Sequence, residues 1–562
     1  MTGSIISEST KTALHSHRES SVAPLYCLRR VGNGRRPFPP VVRSWWKIAV
    51  RVFHPTGFAP HRLACSVTLA LALTGCTLGP DYERPQLATP DSFKEGEGWK
   101  LASPADEAER GPWWEMYGDP VLDELMRRLD ESNQTVAQSV AQYLQAKAAV
   151  RAAKADFFPT GRVTVDETRS ATASGGGGTS RLPDGSTVSS GGGGGDISNS
   201  YNAVSNISWE LDFWGKMRRQ LESDRAGLQS SAADLAAVRL SQQSTLAQSY
   251  LQLRVLDGQR RLLRATVEAY ARSLRLTENQ YRAGMVTKAD VTQALTQLKS
   301  TEAQAIDLDY QRAQLEHAIA VLTGVPPAEF ELAELDSLPS LPEIPTLLPS
   351  QLLERRPDVA AAEREVISAN ALIGVAKAAR FPTFSLSAAG GYRATHTDNW
   401  FEKDNRFWNI SPEMALTLFD GGLLRSQVDQ ARATHQQAVA TYRQTVLDSF
   451  REVEDYLVQL SVLERESRAQ QEAVDAANES RRLMENQYKA GTVDYSSVVD
   501  VQTAALTNER TSLTLLSNRL TASVQLIAAL GGGWDSAELD ALEKLDERLE
   551  QAQAKQEGPE ED

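Results

Sequence analysis

The chain has 562 residues, is 41% hydrophobic and 23% charged, and carries a formal net charge of −14. Its length allows several domains, and the acidic balance argues against nucleic-acid binding. No apolar run reaches the ~18 residues of a membrane-spanning helix, so a membrane role requires a β-barrel or a lipid anchor.

The first 75 residues read as a leader and signal peptide. Arg43, Lys47, Arg51 and Arg62 precede the short apolar run Leu63–Thr74, the pattern of a secretory n-region and h-region. The run closes on Leu73-Thr74-Gly75-Cys76, which resembles a bacterial lipobox. Cleavage before Cys76 would leave its thiol to carry a diacylglyceryl group, and the resemblance to sorted lipoproteins implies that Thr77, in place of Asp, favours the outer membrane. Residues 1 to about 60 carry scattered Arg and Pro without a period, as expected of a start codon placed too early. Cys27, Cys65 and Cys76 are the only cysteines, so the chain after Cys76 forms no internal disulfide.

After a lipidated N-terminal segment, 76–120, two repeats follow at 121–332 and 333–534, then an acidic tail at 535–562. Glu278-Asn279-Gln280-Tyr281-Arg282-Ala283-Gly284 returns as Glu485-Asn486-Gln487-Tyr488-Lys489-Ala490-Gly491, 207 residues later. Lys154–Thr160 returns as Lys377–Thr383, 223 residues later, because a Gly- and Ser-rich insert lengthens the first repeat near Ser174–Gly195. Each repeat reads helix, strand, loop, strand, very long helix, Gly turn, helix. Val121–Phe157 has no Pro or Gly and predicts one helix. Lys216–Arg282 and Leu423–Lys489 predict helices of ~100 Å each. No compact globule needs two of these; a helical tube crossing the periplasm does.

Residues 200–213 alternate, with Tyr201, Ala203, Ile207, Trp209, Leu211 and Phe213 on one side and Asn202, Asn206, Ser208, Glu210 and Asp212 on the other. Residues 408–418 and 384–393 alternate likewise, and 162–168 more weakly, through Val163 and Val165. A soluble half-buried sheet shows the same alternation, but signal peptide and long helices together point to a transmembrane barrel, with Trp209, Trp214, Trp400 and Trp408 as interface girdles. Four strands cannot close a barrel, which needs about 8. Three copies would supply 12.

Several segments resemble the outer-membrane factor family, the TolC-like channels, and within it the lipoprotein (NodT/OprM-like) branch. They are Trp113-Trp114 with Gly118-Asp119-Pro120-Val121-Leu122, Ser208–Lys216, Leu352-Leu353-Glu354-Arg355-Arg356-Pro357-Asp358-Val359, and Ala529-Leu530-Gly531-Gly532-Gly533-Trp534. The resemblance implies a mixed α and transmembrane-β fold: a homotrimeric 12-stranded β-barrel in the outer membrane, continued by a 12-helix α-barrel. It implies a passive efflux duct, with a periplasmic adaptor protein and an inner-membrane pump of the RND type as partners. The alternative in the same fold is the exit channel of a type I protein or oligosaccharide secretion system. A poreless coiled-coil lipoprotein is a third reading, which the alternating strands and Trp residues count against.

The resemblance also assigns candidate sites. The turns Tyr281-Arg282-Ala283-Gly284 and Tyr488-Lys489-Ala490-Gly491 would close the periplasmic end and meet the adaptor. Asp290, six residues after Gly284, matches a gating carboxylate, and Tyr488 its tyrosine partner; a capping box with Thr287 also accounts for Asp290. Asp500, nine residues after Gly491, matches a ring aspartate whose three copies would favour cations. Ser496 stands where a bulky apolar constriction residue is common. Arg356, Pro357 and Asp358 suit a helix start. The seven histidines are scattered, and the sequence has no His-x-x-x-His, Cys-x-x-Cys or phosphate loop, so no catalytic role, metal or cofactor is expected.

Overall fold

The computed structural model describes residues 77–86, 90, 92–96, 112–171, 179–181, 187–189, 197–335, 337–342, 344 and 355–534. Cys76, the leader, most of the Gly/Ser-rich insert, Leu352–Glu354 and the acidic tail lie outside them.

Seven α-helices stand among the described residues: α1 Pro120–Ser132, α2 Gln134–Ala155, α3 Lys216–Arg282, α4 Lys288–Leu322, α5 Pro357–Ala378, α6 Leu423–Lys489 and α7 Tyr495–Ala529. The two long helices, α3 and α6, are 67 residues each and start and end where the sequence predicts. At 1.5 Å per residue each runs ~100 Å. The same device starts both. The Asp212 carboxylate accepts from the backbone N–H groups of Met217 and Arg218, and Asp420 does the same for Gly422 and Leu424.

The single helix expected over Val121–Phe157 is two. Asn133 breaks it: its Oδ1 accepts from the N–H of Thr135 and Val136, capping α2, while its Nδ2 donates to the Leu322 carbonyl at the end of α4. The break therefore joins the stacked pair α1–α2 to the helix that continues it toward the other end.

Helix α3 packs on α2 and α5, and also on α4 and α7; α6 packs on α5 and α7. The main core lies midway along the long helices. Trp113, Trp114, Tyr117, Leu122, Leu125, Met126 and Leu129 bury there against Leu246, Tyr250 and Leu253 of α3 and Leu520, Val524 and Ile527 of α7. Its buried hydroxyls are partnered: Tyr117 bonds Ser523 at 2.7 Å, and Tyr250 donates to Asp119 at 2.7 Å.

Six strands stand among the described residues: β1 Thr160–Ala171, β2 Thr179–Arg181, β3 Thr187–Ser189, β4 Ile197–Leu211, β5 Thr383–Ala394 and β6 Arg406–Ala415. β2 and β3 form a small hairpin, and the other four an antiparallel sheet in the order β1-β4-β5-β6. The register stitches the period-2 pattern into two chemically distinct faces. One row runs Gly161, Ile207, Ala388, Ile410, and another Trp209, Leu386, Pro412. That face also carries Val163, Val165, Leu211, Phe384, Tyr392, Trp408 and Met414. The opposite face carries Arg162, Asp166, Asn202, Asn206, Ser387, Arg393, Asn409 and Glu413. Within the protomer, β1 and β6 have free edges. Among the described residues no helix is long and apolar enough to cross a membrane.

Candidate functional site

Three places merit a functional reading: the apolar sheet face, the segment that follows Cys76, and the helical tip farthest from the sheet.

The apolar face is bounded by aromatic clusters. At its outer end Tyr201, Trp400, Phe401 and Tyr392 pack with ring centroids 5.1–5.5 Å apart. At the helix junction Phe213 meets Phe384 at 4.7 Å, and Trp214 meets Phe381 at 4.9 Å while its Nε1 donates to the Pro382 carbonyl. Trp209 donates to the Phe157 carbonyl at 3.0 Å. Trp408 instead lies within the face, opposite Gly390. The ten residue steps from Tyr201 to Leu211 span ~33 Å of strand. At the ~40° tilt general to barrel strands, that length would correspond to an apolar band ~25 Å high.

The segment beginning at Thr77 is strapped to the helices just below this band. Leu78 N–H donates to the Trp214 carbonyl at 3.1 Å, and Arg219 binds the Leu78 carbonyl and Asp81. Asn370 donates to the Pro80 carbonyl, and Tyr82 and Arg84 both bind Glu363. The strap crosses α5 at Gly374, where a Cβ would stand 2.7 Å from the Leu78 carbonyl oxygen. No signal in the sequence announced this strap, because its contacts are all distant along the chain.

At the tip, two identical turns follow α3 and α6. Gly284 N–H donates to the Tyr281 carbonyl and Met285 N–H to that of Gln280; Gly491 and Thr492 repeat this with Tyr488 and Gln487. Both glycines have φ of 76°, the left-handed value that this helix ending requires. Arg282, Ala283, Gly284, Lys489, Ala490 and Gly491 are exposed. The two repeats then diverge. Tyr281 is exposed, with the Lys288 ammonium 5.7 Å from its ring. Its counterpart Tyr488 is buried, because Tyr495 occupies the place of Lys288 and packs against it at 5.5 Å. Ala294, Val498 and Val499 complete this small apolar cluster.

Asp290 and Tyr488 do not meet as a hydrogen-bonded latch in this structure. The Asp290 carboxylate accepts from the Thr287 backbone N–H and hydroxyl, and Thr287 caps Asp290 in return. The Tyr488 hydroxyl donates to Gln280 Oε1 at 2.7 Å, tying α6 to α3. A second tie joins Tyr495 to Ser273 at 3.2 Å. Burial pushes the Tyr488 phenol up, a hydrogen bond with Thr277 draws it down, and the nearby Asp290 charge raises it further. Asp500 is exposed, one turn beyond the exposed Ser496 on the same face of α7.

Sequence reasoning also missed a buried ion network in the middle of α3. Asp257 is fully buried and binds Arg312 Nε of α4 at 2.9 Å, with Arg254 at 3.4 Å and Arg260 at 3.6 Å. Arg312 continues to Glu316 and to the Leu332 carbonyl. Arg254-x-x-Asp257-x-x-Arg260 spacing was legible, but not which face the core covers. At the start of α5, Arg356 pairs with Asp358 and Glu452 and donates to the Ala529 carbonyl, a structural role for the Arg356-Pro357-Asp358 helix start.

The family model described as "Outer membrane efflux protein" matches residues 125–325 and 348–532. The chain belongs to the outer membrane efflux protein family. Its relatives in that family include the pyoverdine export outer membrane protein OpmQ of Pseudomonas aeruginosa, 31% identical over 84% of this chain and 96% of that one. The toluene efflux pump outer membrane protein TtgF of Pseudomonas putida is 31% identical over 84% of this chain and 97% of its own. The cation efflux system protein CusC of Escherichia coli is 28% identical over 83% and 97%. Among solved structures, the outer-membrane channel OprN superposes with a TM-score of 0.72 at 27% identity, covering 82% of this chain and all of its own. An outer membrane efflux protein resides in the outer membrane, and this fold is that of its TolC-like channels.

Proposed function

We propose that this protein is the outer-membrane duct of a tripartite efflux system. In this reading three copies close a 12-stranded barrel over a 12-helix tunnel, and a periplasmic adaptor and an inner-membrane pump of the RND type deliver small molecules to the tip. The observation that carries it is one apolar sheet face, bounded by two aromatic clusters and mounted on two 67-residue helices. The relatives' names favour small cargo over secreted polymers. They name pyoverdine, toluene and cations, so the duct itself sets no single cargo.

Cys76 is the lipid anchor in this proposal. Thr77 and Leu78 lie beside Trp214 and Gly215, so a diacylglyceryl group on residue 76 would enter the leaflet next to the lower aromatic cluster. Tyr488, with Asp290 beside it, and Asp500 form the gate: Tyr488 ties the two hairpins, and three Asp500 carboxylates face the axis. Tyr281, Arg282, Ala283, Gly284, Lys489, Ala490 and Gly491 form the adaptor-facing rim, supported from beneath by Tyr488.

Planar-bilayer recording tests the duct. Purified protein is expected to give cation-preferring conductance that Asp500→Ala shifts toward neutrality. Silence from both proteins, reconstituted as trimers, would sink the channel reading.

A further inference from the structure

The two repeats share more than sequence, and their shared register says how neighbouring copies join. In the first hairpin Thr160 pairs with Ser208; advanced by the two sequence offsets, 223 and 207, these become Thr383 and Ala415, which are paired in the second hairpin. The repeats therefore superpose strand for strand. Between them runs an internal joint, β4 against β5, in which Ser208 pairs with Ser387 and Leu211 with Phe384. Applying the same offsets to that joint carries β4 onto β6 and β5 back onto β1 of another copy. The intramolecular joint is thus a template for the intermolecular one.

We propose that β6 of one copy joins β1 of the next with Ala415 opposite Thr164, Met414 opposite Val165 and Leu416 opposite Val163. This rests on the trimeric barrel proposed above and specifies its closure. Two independent observations agree with it. The register keeps parity, so Val163, Val165, Met414 and Leu416 all remain on the apolar face; a slip of one residue would turn β1 over. It also covers side chains left bare in the protomer, since those four are 46–73% exposed. At the helix junction it places Phe158 where Phe381 stands in the internal joint, facing the segment that holds Leu418 and Phe419. These three are 69%, 90% and 91% exposed.

The same register sets Glu413 opposite Asp166 on the polar face. Like charges directly opposite weaken a strand pair, so Glu413→Gln is expected to raise the temperature at which the assembly dissociates.

Paired cysteines on the polar face test the register. Thr164→Cys with Ala415→Cys is expected to give an oxidised, disulfide-linked trimer on a non-reducing gel, at least ten times more than Thr164→Cys with Glu413→Cys or with Thr417→Cys. Ser208→Cys with Ser387→Cys, the internal equivalent, reports that such a pair can oxidise. A linked product from either two-residue slip overturns the register and leaves the trimer standing. So does a trimer in solution with no interchain link while the internal pair closes. A monomer by light scattering removes the trimer itself and this closure with it.

Discussion

Tyr488 and Tyr281 occupy equivalent places, yet only one can act as a tie, because residue 495 is Tyr and residue 288 is Lys. Tyr488→Phe keeps the packing against Tyr495 and removes the bond to Gln280. The expected cost is about 0.5–1.5 kcal/mol, read as faster amide exchange at residues 277–290 and 485–496 with the mid-helix core unchanged. The pH sign follows from the direction of the shift. Burial raises the Tyr488 and Tyr495 phenols above their ordinary value. Stability tied to them is therefore complete below pH ~10 and is lost as pH rises through the raised folded values. The tip is expected to hold from pH 6 to 9 and to loosen only in stronger alkali, a step that should shrink in Tyr488→Phe. Gly491→Ala keeps a left-handed backbone that an L side chain resists by ~1–2 kcal/mol, with nothing nearby for the methyl to clash with. Proteolysis at the tip is the sensitive measurement.

At the scale of elements, polar groups hold the joint between helices at Asn133 and a buried network in the body of α3. Asn133→Ala removes the cap of α2 and the link to Leu322. About 1 kcal/mol is expected from the cap alone, visible as a lower thermal midpoint. Arg312→Met leaves Asp257 buried with only its two weaker partners. Breaking a buried pair in this way costs ~3–5 kcal/mol, and a midpoint shift no larger than that of Asn133→Ala would show the network to be dispensable. Gly374→Ala acts on the strap: its methyl would collide with the Leu78 carbonyl. Faster proteolysis between residues 77 and 86, with the helices unaffected, is the expected result. Of these three features the sequence showed the ingredients, such as Asn after Ser132 and charges at i, i+3. It did not show which were buried, since that depends on neighbours more than fifty residues away.

For the whole molecule, the test of function is cellular. Deleting the gene is expected to sensitise cells to exported toxic solutes, and restoring it with Cys76→Ser should return less activity if the lipid speeds insertion. Normal rescue by that variant, with no palmitate label on the native protein, would set the anchor aside. The architecture was legible because its signals are local and repeated. Both long helices could be delimited, as Lys216–Arg282 and Leu423–Lys489, and the four strands of the sheet located from their alternation; the hairpin β2–β3 inside the Gly- and Ser-rich insert was not.

Local chemistry, then, was enough for the two long helices, the four strands of the sheet, the repeat and the family, because helix propensity, period-2 alternation and the Gly turns act within a few residues. The tertiary structure decided the rest. It turned Asp290 to Thr287 and Tyr488 to Gln280, split the first helix at Asn133, buried Asp257, and laid the strap across Gly374. Each of these depends on which of several possible partners comes within about 3 Å, and that is set by how the helices pack together.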